Sequence, residues 1–340
     1  MKIIDLESHF YTEAYLKYLR SRKEMPYEEV REKDIRLWMA PGVWAPRSFM
    51  LEEKLLDMGE QRLQEMDEAG VDIQVLSLCI PGCDHFEPSE GMAMARETNN
   101  ELADVVKKYP DRYVGLAALA PQDPEGSAKE LERAVKDLGM KGAKLNSHAR
   151  GEYLDNEKFW PLFEAAESLD VPIYLHPTWP SPAIIKGYAD YGFPLAGPPL
   201  GFGAETCLHA MRLMYSGVFD KYPGLKMVLG HMGEGLPFWL YRIDFYWLRP
   251  WVSDELRPKA KLKPSDYINH NFLFTSSGMH FLPAFMCAYM ALGADIVAFG
   301  ADHPFETSKE SLEALGTLPI CDADKEKFYH GNAERWLKTG

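Results

Sequence analysis

The chain has 340 residues, enough for two domains of average length or for one large barrel. With 46% hydrophobic, 12% aromatic and 26% charged residues its composition is globular, which excludes a disordered chain. A formal net charge of −14 excludes the basic footprint that nucleic acid or an anionic membrane requires, and an acidic ligand needs a metal or an arginine to reverse the field locally.

In chain order, eight short β-rich apolar runs stand out: 3–9, 71–79, 113–119, 141–147, 171–176, 225–232, 271–277 and 295–301. Helical periodicity fills most of the intervals, as in LQEMDEAG before the second run, LERAVKDLG before the fourth and WPLFEAAESLD before the fifth. Alternating strands and helices imply parallel pairing through right-handed crossovers. Eight such units predict an α/β fold, a single (β/α)8 TIM-type barrel over residues 1–340 with no domain boundary. A doubly wound sheet is the competing architecture. It would place a glycine-rich phosphate loop after the first strand, and Glu7-Ser8-His9 stands there instead.

Two connections exceed the simple repeat. Residues 10–60 combine a charged stretch with LWMAPGVWAPRSFML, and residues 177–204 are dense in Pro, Gly and aromatics. These are the extended loops after strands 1 and 5, expected on the C-terminal face where barrel loops build sites. Neither an internal repeat nor a run of 18 apolar residues occurs, so no membrane helix is expected. The N-terminus lacks the apolar stretch of a signal peptide, and Cys79, Cys83, Cys207, Cys287 and Cys321 are odd in number with no CxxC spacing. Both features point to reduced thiols in the cytoplasm.

Ionisable residues collect at one end of the predicted strands. Glu7 and His9 close the first, two apart and on one face; His176 closes the fifth, His231 the sixth and Asp302 the eighth. A lone strand-end histidine is usually structural, but five ionisable groups at the same end of four strands have no packing explanation. Imidazoles with carboxylates suit Zn2+ or Mn2+, and a cation would relieve the repulsion between Glu7 and Asp302.

The motifs Glu7-x-His9, YLHP at 174–177, GHMGEGLP at 230–237 and FGADHPFE at 299–306 resemble the amidohydrolase superfamily. The resemblance covers essentially the whole chain and is to the branch of aminocarboxymuconate-semialdehyde decarboxylase and the hydroxybenzoate decarboxylases. Residues 205–237 particularly resemble the γ-resorcylate and 2,3-dihydroxybenzoate decarboxylases. It implies one divalent metal, Zn2+ or Mn2+, on Glu7, His9, His176 and Asp302. It further implies non-oxidative removal of CO2 from an ortho-hydroxylated aromatic acid, by ring protonation and then C–C cleavage. Asp302 is the implied proton donor, and its nearness to Glu7 is expected to raise its protonated fraction. His231 would hydrogen-bond the phenolic oxygen, with Glu234 three residues on orienting the imidazole.

Other positions carry two readings each. Asn146 donates to substrate or holds a loop. Arg47 binds a second acidic or phenolic group or forms a surface salt bridge, and Trp179 stacks on an aromatic ring or packs in the core. His280, Phe281 and Phe305 are candidates to line the pocket. Lys144 on strand four either bridges a second metal or pairs with a carboxylate; Glu7 in place of the superfamily's usual first histidine favours one metal. Arg242 pairs with a carboxylate or reaches a neighbouring subunit, while His85, His209, His270 and His330 read as structural or solvated. The same site could alternatively hydrolyse a lactone or amide, and a non-catalytic scaffold is the third class. A homodimer or homotetramer is expected, with the Leu208–Tyr215 helix face as a candidate interface.

Overall fold

Each of the eight apolar runs contains a barrel strand, in a computed structural model that describes residues 1–339. In chain order the strands are β1 (Ile4–Phe10), β2 (Tyr27–Val30), β3 (Ile35–Ala40), β4 (Val43–Arg47), β5 (Ile73–Leu78) and β6 (Tyr113–Gly115). They continue with β7 (Ala117–Ala118), β8 (Ala143–Asn146), β9 (Pro172–His176), β10 (Lys226–Leu229), β11 (Phe272–Thr275) and β12 (Val297–Ala298). Parallel pairing runs β1–β5–β6 and then β7 through β12 in sequence. β6 and β7 form one barrel strand that changes partners at Leu116, whose N–H bonds Leu76 while that of Ala117 bonds Gly142. The ring closes where Leu6 N–H meets Phe299 O at 3.0 Å and Asp302 N–H meets Glu7 O at 3.0 Å. The strands are buried on both faces, which is why they read as continuous apolar runs and not as alternating ones.

Ile4, Leu6, Val75, Val114, Tyr174, Val228 and Leu273 fill the barrel, and Ala333, Trp336 and Leu337 of the C-terminal helix join them. An outer layer of apolar groups cements strands to helices. β1 carries one extra residue against β5 between Asp5 and Ser8. Such a bulge re-aims the side chains beyond it. Leu6 packs inside the barrel, and Glu7 also turns inward to meet Tyr174.

Two sequence expectations need correction. Residues 10–60, expected as a loop, hold a helix (Glu13–Ser21) capped by Thr12 and the antiparallel sheet β2–β3–β4. Ile35, Leu37, Val43, Ala45 and Arg47 face inward and alternate with outward residues, and Gly42 at φ +77° turns the chain between β3 and β4. The sixth and eighth strands also end earlier than expected, at Leu229 and Ala298, so His231 and Asp302 lie in turns beyond them. Both turns have positive φ: 52° at His231 and 79° at Asp302.

Candidate metal centre and cavity

Glu7, His9, His176 and Asp302 converge so that one ligand atom from each lies within 4.8 Å of all the others. His9 Nε2 is 3.2 Å from His176 Nε2 and 3.1 Å from Asp302 Oδ1, and Glu7 Oε1 is 3.2 Å from His176 Nε2. The hydrogen bonds behind these atoms fix what they offer. The Tyr174 and Ser277 hydroxyls both donate to Glu7 Oε2, leaving Oε1 buried without a partner. His176 Nδ1–H donates to the Pro177 carbonyl at 2.6 Å, so its Nε2 presents a lone pair. Ser77 Oγ lies 3.2 Å from His9 Nδ1. A carboxylate oxygen and an imidazole lone pair facing each other in a buried site require a cation between them. Two nitrogens and two carboxylates form a donor set that Mn2+ and Zn2+ accept. The cluster's own electrostatics agree. Burial opposes a charge on His9, yet Asp302 and Glu7 raise it to about 9, while burial and Lys144 push His176 down to about 3.

Beyond β10 the chain makes a left-handed turn, with positive φ at His231, Met232, Gly233, Glu234 and Gly235 in succession. The non-glycine members carry strain of the kind stored at functional sites. The turn folds Glu234 back onto His231, Oε1 to Nδ1 at 2.8 Å, and aims His231 Nε2 at Asp302 Oδ2, 3.8 Å away. Burial opposes a charge on His231, but Glu234, Glu7 and Asp302 hold its pKa well above the usual imidazole range. Asp302 departs from expectation. Burial and Glu7 favour its neutral form, yet His231 and His9 outweigh them and its pKa falls. Gly278, at φ +58°, leaves room for this contact, because a Cβ there would meet His231 Cδ2 at 2.9 Å.

The cluster opens into a cavity of about 560 Å3 reached by His176, His231, Glu234 and Asp302. Arg47 lines it and is buried, with its guanidinium 5.0 Å from the Phe305 ring. Its Nη2 donates to the Tyr11 hydroxyl at 3.3 Å, but its Nε and Nη1 have no partner. Phe305 also lines the cavity.

Other expected site residues lie elsewhere. Asn146 holds a loop, donating to Pro81 O and to Asp84. Trp179 is core packing against His85 and His148, with centroids 4.3 and 6.1 Å away. His280 is not among the lining residues and turns toward Ser311, while Phe281 is exposed. Lys144 pairs with no carboxylate; it donates to Leu78 O at 2.7 Å and stands outside the metal cluster. Arg242 is exposed and stacks on Phe245, His209 accepts the Leu154 N–H, and His330 pairs with Glu334. Sequence reasoning missed Tyr174, Ser277 and Gly278. Tyr174 was findable, since two residues before His176 on a strand is the same face; Ser277 and Gly278 carry no such signal.

The amidohydrolase family model matches residues 4–339. The γ-resorcylate decarboxylase of Polaromonas sp. strain JS666 is 41% identical over 295 residues, covering 85% of this chain and 90% of its own. The structure of 5-carboxyvanillate decarboxylase from Sphingomonas paucimobilis superposes with a TM-score of 0.90 at 34% identity, over 99% of both chains. A dihydroxybenzoic acid decarboxylase from Polaromonas sp. JS666, with bound manganese and the inhibitor 2-nitroresorcinol, gives 0.85 at 38% identity, covering 99% of this chain and 97% of that one.

Proposed function

The chain belongs to the amidohydrolase family, and from that membership we propose that it is a metal-dependent, non-oxidative decarboxylase of ortho-hydroxylated aromatic acids. The observation that carries this reading is Glu7 Oε1, buried and unpartnered against the His176 lone pair, beside a His231–Asp302 pair that faces a cavity with room for an aromatic ring. One divalent cation would be held by Glu7, His9, His176 and Asp302, with Mn2+ favoured by the manganese in the relatives' structures. When bound, it supplies the positive charge that draws a carboxylate and its ortho oxygen into an acidic protein.

The protein's own groups then divide the proton work. Direct loss of CO2 would leave an aryl carbanion, so a proton reaches the ring carbon first. Asp302 faces two ways: Oδ1 toward His9, and Oδ2 toward His231. The proton comes from the cationic His231 and reaches the ring carbon that bears the carboxylate through Asp302 Oδ2. The C–C bonding pair then returns to the ring and CO2 leaves. His231, held cationic, resupplies Asp302 and hydrogen-bonds the phenolic oxygen, while Glu234 fixes its orientation through Nδ1. The free N–H groups of Arg47 take a second acidic or phenolic group on the ring.

The chain acts as one barrel domain in this reading. No helix of the described residues is long and apolar enough to cross a membrane, and five unpaired cysteines support a reducing compartment, the cytoplasm. Exposed aromatics on the helix Leu236–Ile243 support association into a homodimer or homotetramer, where Leu208–Tyr215 offers a smaller apolar face. The test is manganese-loaded protein with a panel of hydroxybenzoates under anaerobic conditions. CO2 and phenol released in equal amounts support the reading, and no release from any member contradicts it.

A further inference from the structure

The cavity is larger and more apolar than a single hydroxybenzoate ring requires. Its volume of about 560 Å3 falls in the range that encloses drug-sized ligands. The polar groups gather at the cluster end and at Arg47, with the exposed Glu306 as one further charged lining residue; the remaining wall includes Phe193, Pro198, Leu200, Phe202, Trp239 and Met279. That wall is built for space. Prolines at 198 and 199 fix it without the entropy that long side chains would lose, and Gly203, Ala204 and Gly235 keep the floor low. At Gly203 a Cβ would already meet Glu234 Oε2 at 2.9 Å. Leu200 and Trp239 line the cavity and are each 52% exposed, so the wall runs apolar out to solvent. An apolar surface this deep, with few polar groups to satisfy, gains most from a ligand that removes it from water.

Resting on the decarboxylase reading, we propose that the substrates are ortho-hydroxylated aromatic acids bearing an extended apolar substituent opposite the carboxylate. The geometry sets the position. The cluster is buried and Leu200 and Trp239 are half-exposed, so a ring whose carboxylate lies at Glu7, His9, His176 and Asp302 directs its opposite edge away from the buried end, toward the open wall to which Leu200 and Trp239 belong. An alkyl chain of several carbons, or a second ring, follows that wall outward. Each methylene buried there improves binding several-fold, by about 0.8 kcal/mol.

The experiment pairs 2,6-dihydroxybenzoate with its 4-pentyl derivative on manganese-loaded protein. It also measures tryptophan-fluorescence titrations of the two products, resorcinol and 5-pentylresorcinol. The expected result is a kcat/KM at least tenfold higher for the pentyl acid, carried mainly by KM, and pentylresorcinol binding at least tenfold tighter. Leu200→Asp is expected to lower the pentyl-to-parent ratio of kcat/KM, and Trp239→Ala to do the same. Equal or better turnover of the parent acid overturns the proposal and leaves the decarboxylase reading standing. If neither acid turns over while pentylresorcinol still binds more tightly, the apolar subsite stands and the decarboxylase reading fails. Equal binding of the two phenols overturns the subsite whatever the turnover.

Discussion

Glu7 shows how much of this site depends on what stands behind it. Its Oε2 is occupied by the Tyr174 and Ser277 hydroxyls, and that leaves Oε1 as the oxygen aimed at the cluster. Tyr174→Phe removes one donor without changing the set of four ligands. It is expected to weaken manganese binding about 10- to 100-fold, read by chelator competition. Gly278→Ala tests the other half of the site. A Cβ there presses on His231, so activity is expected to fall on the order of a hundredfold with manganese content unchanged. Residue identity also sets acid stability. His209 Nε2 accepts the Leu154 N–H, and His148 Nδ1 accepts that of Gly151, so both imidazoles must be neutral in the fold. Burial lowers their pKa values to about 3 and about 4. An unfolded histidine binds its proton near 6.5, so this stability is full above that pH and is lost as pH falls toward 4 and then 3. Each histidine contributes a loss of roughly 2 kcal/mol between pH 6.5 and 5, opposed by the buried Asp5 and Asp84, whose raised pKa values of about 6 add stability over the same range. The stability gap between the unsubstituted protein and His209→Gln should therefore narrow by roughly 2 kcal/mol in denaturant unfolding. A gap between the two proteins that does not change with pH contradicts this assignment.

At the scale of elements, what was legible followed from periodicity. The eight barrel strands are buried on both faces, and long apolar runs between helical patterns leave few other folds. Glu7, His9, His176, His231 and Asp302 were legible because charged groups interrupt or end such runs. The bulge in β1 was not, since nothing in IDLESHF marks an extra residue. The β3–β4 hairpin was legible but unread: IRLWMA alternates, and Pro41-Gly42 punctuates it before VWAPR. Its consequence is functional, because β4 carries Ala45, Pro46 and Arg47 to the cavity wall. Gly42→Ala meets no neighbouring atom, so its cost is backbone alone. Unfolding free energy should drop by about 1 kcal/mol, read by denaturant titration. The left-handed turn after β10 was half legible. Gly230, Gly233 and Gly235 announce an unusual turn, but that His231, Met232 and Glu234 share the positive φ comes from their packing, not their type.

For the whole molecule, the charge of −14 and the aromatic surface have separate meanings. Phe238 is 75% exposed, Tyr241 and Trp251 are each 71% exposed, and Met290 on the adjoining helix Leu282–Leu292 is 79% exposed. At ~150–250 Å2 for a large aromatic side chain, this surface approaches the ~800 Å2 that one partner buries in a standard interface. Phe238→Glu with Trp251→Glu should shift the protein to a monomer in light scattering, and an unchanged mass would contradict association through this face. The acidity becomes compatible with an aromatic carboxylate through the cation that Glu7, His9, His176 and Asp302 would hold, with Arg47 as the second positive charge at the cavity. The most direct measurement runs manganese-loaded protein with a hydroxybenzoate in D2O without oxygen, followed by mass spectrometry and NMR of the product. One deuterium at the ring carbon that carried the carboxylate, with an equivalent of CO2, is the predicted result. An intact acid, or a product that gains solvent oxygen in place of losing CO2, would contradict it.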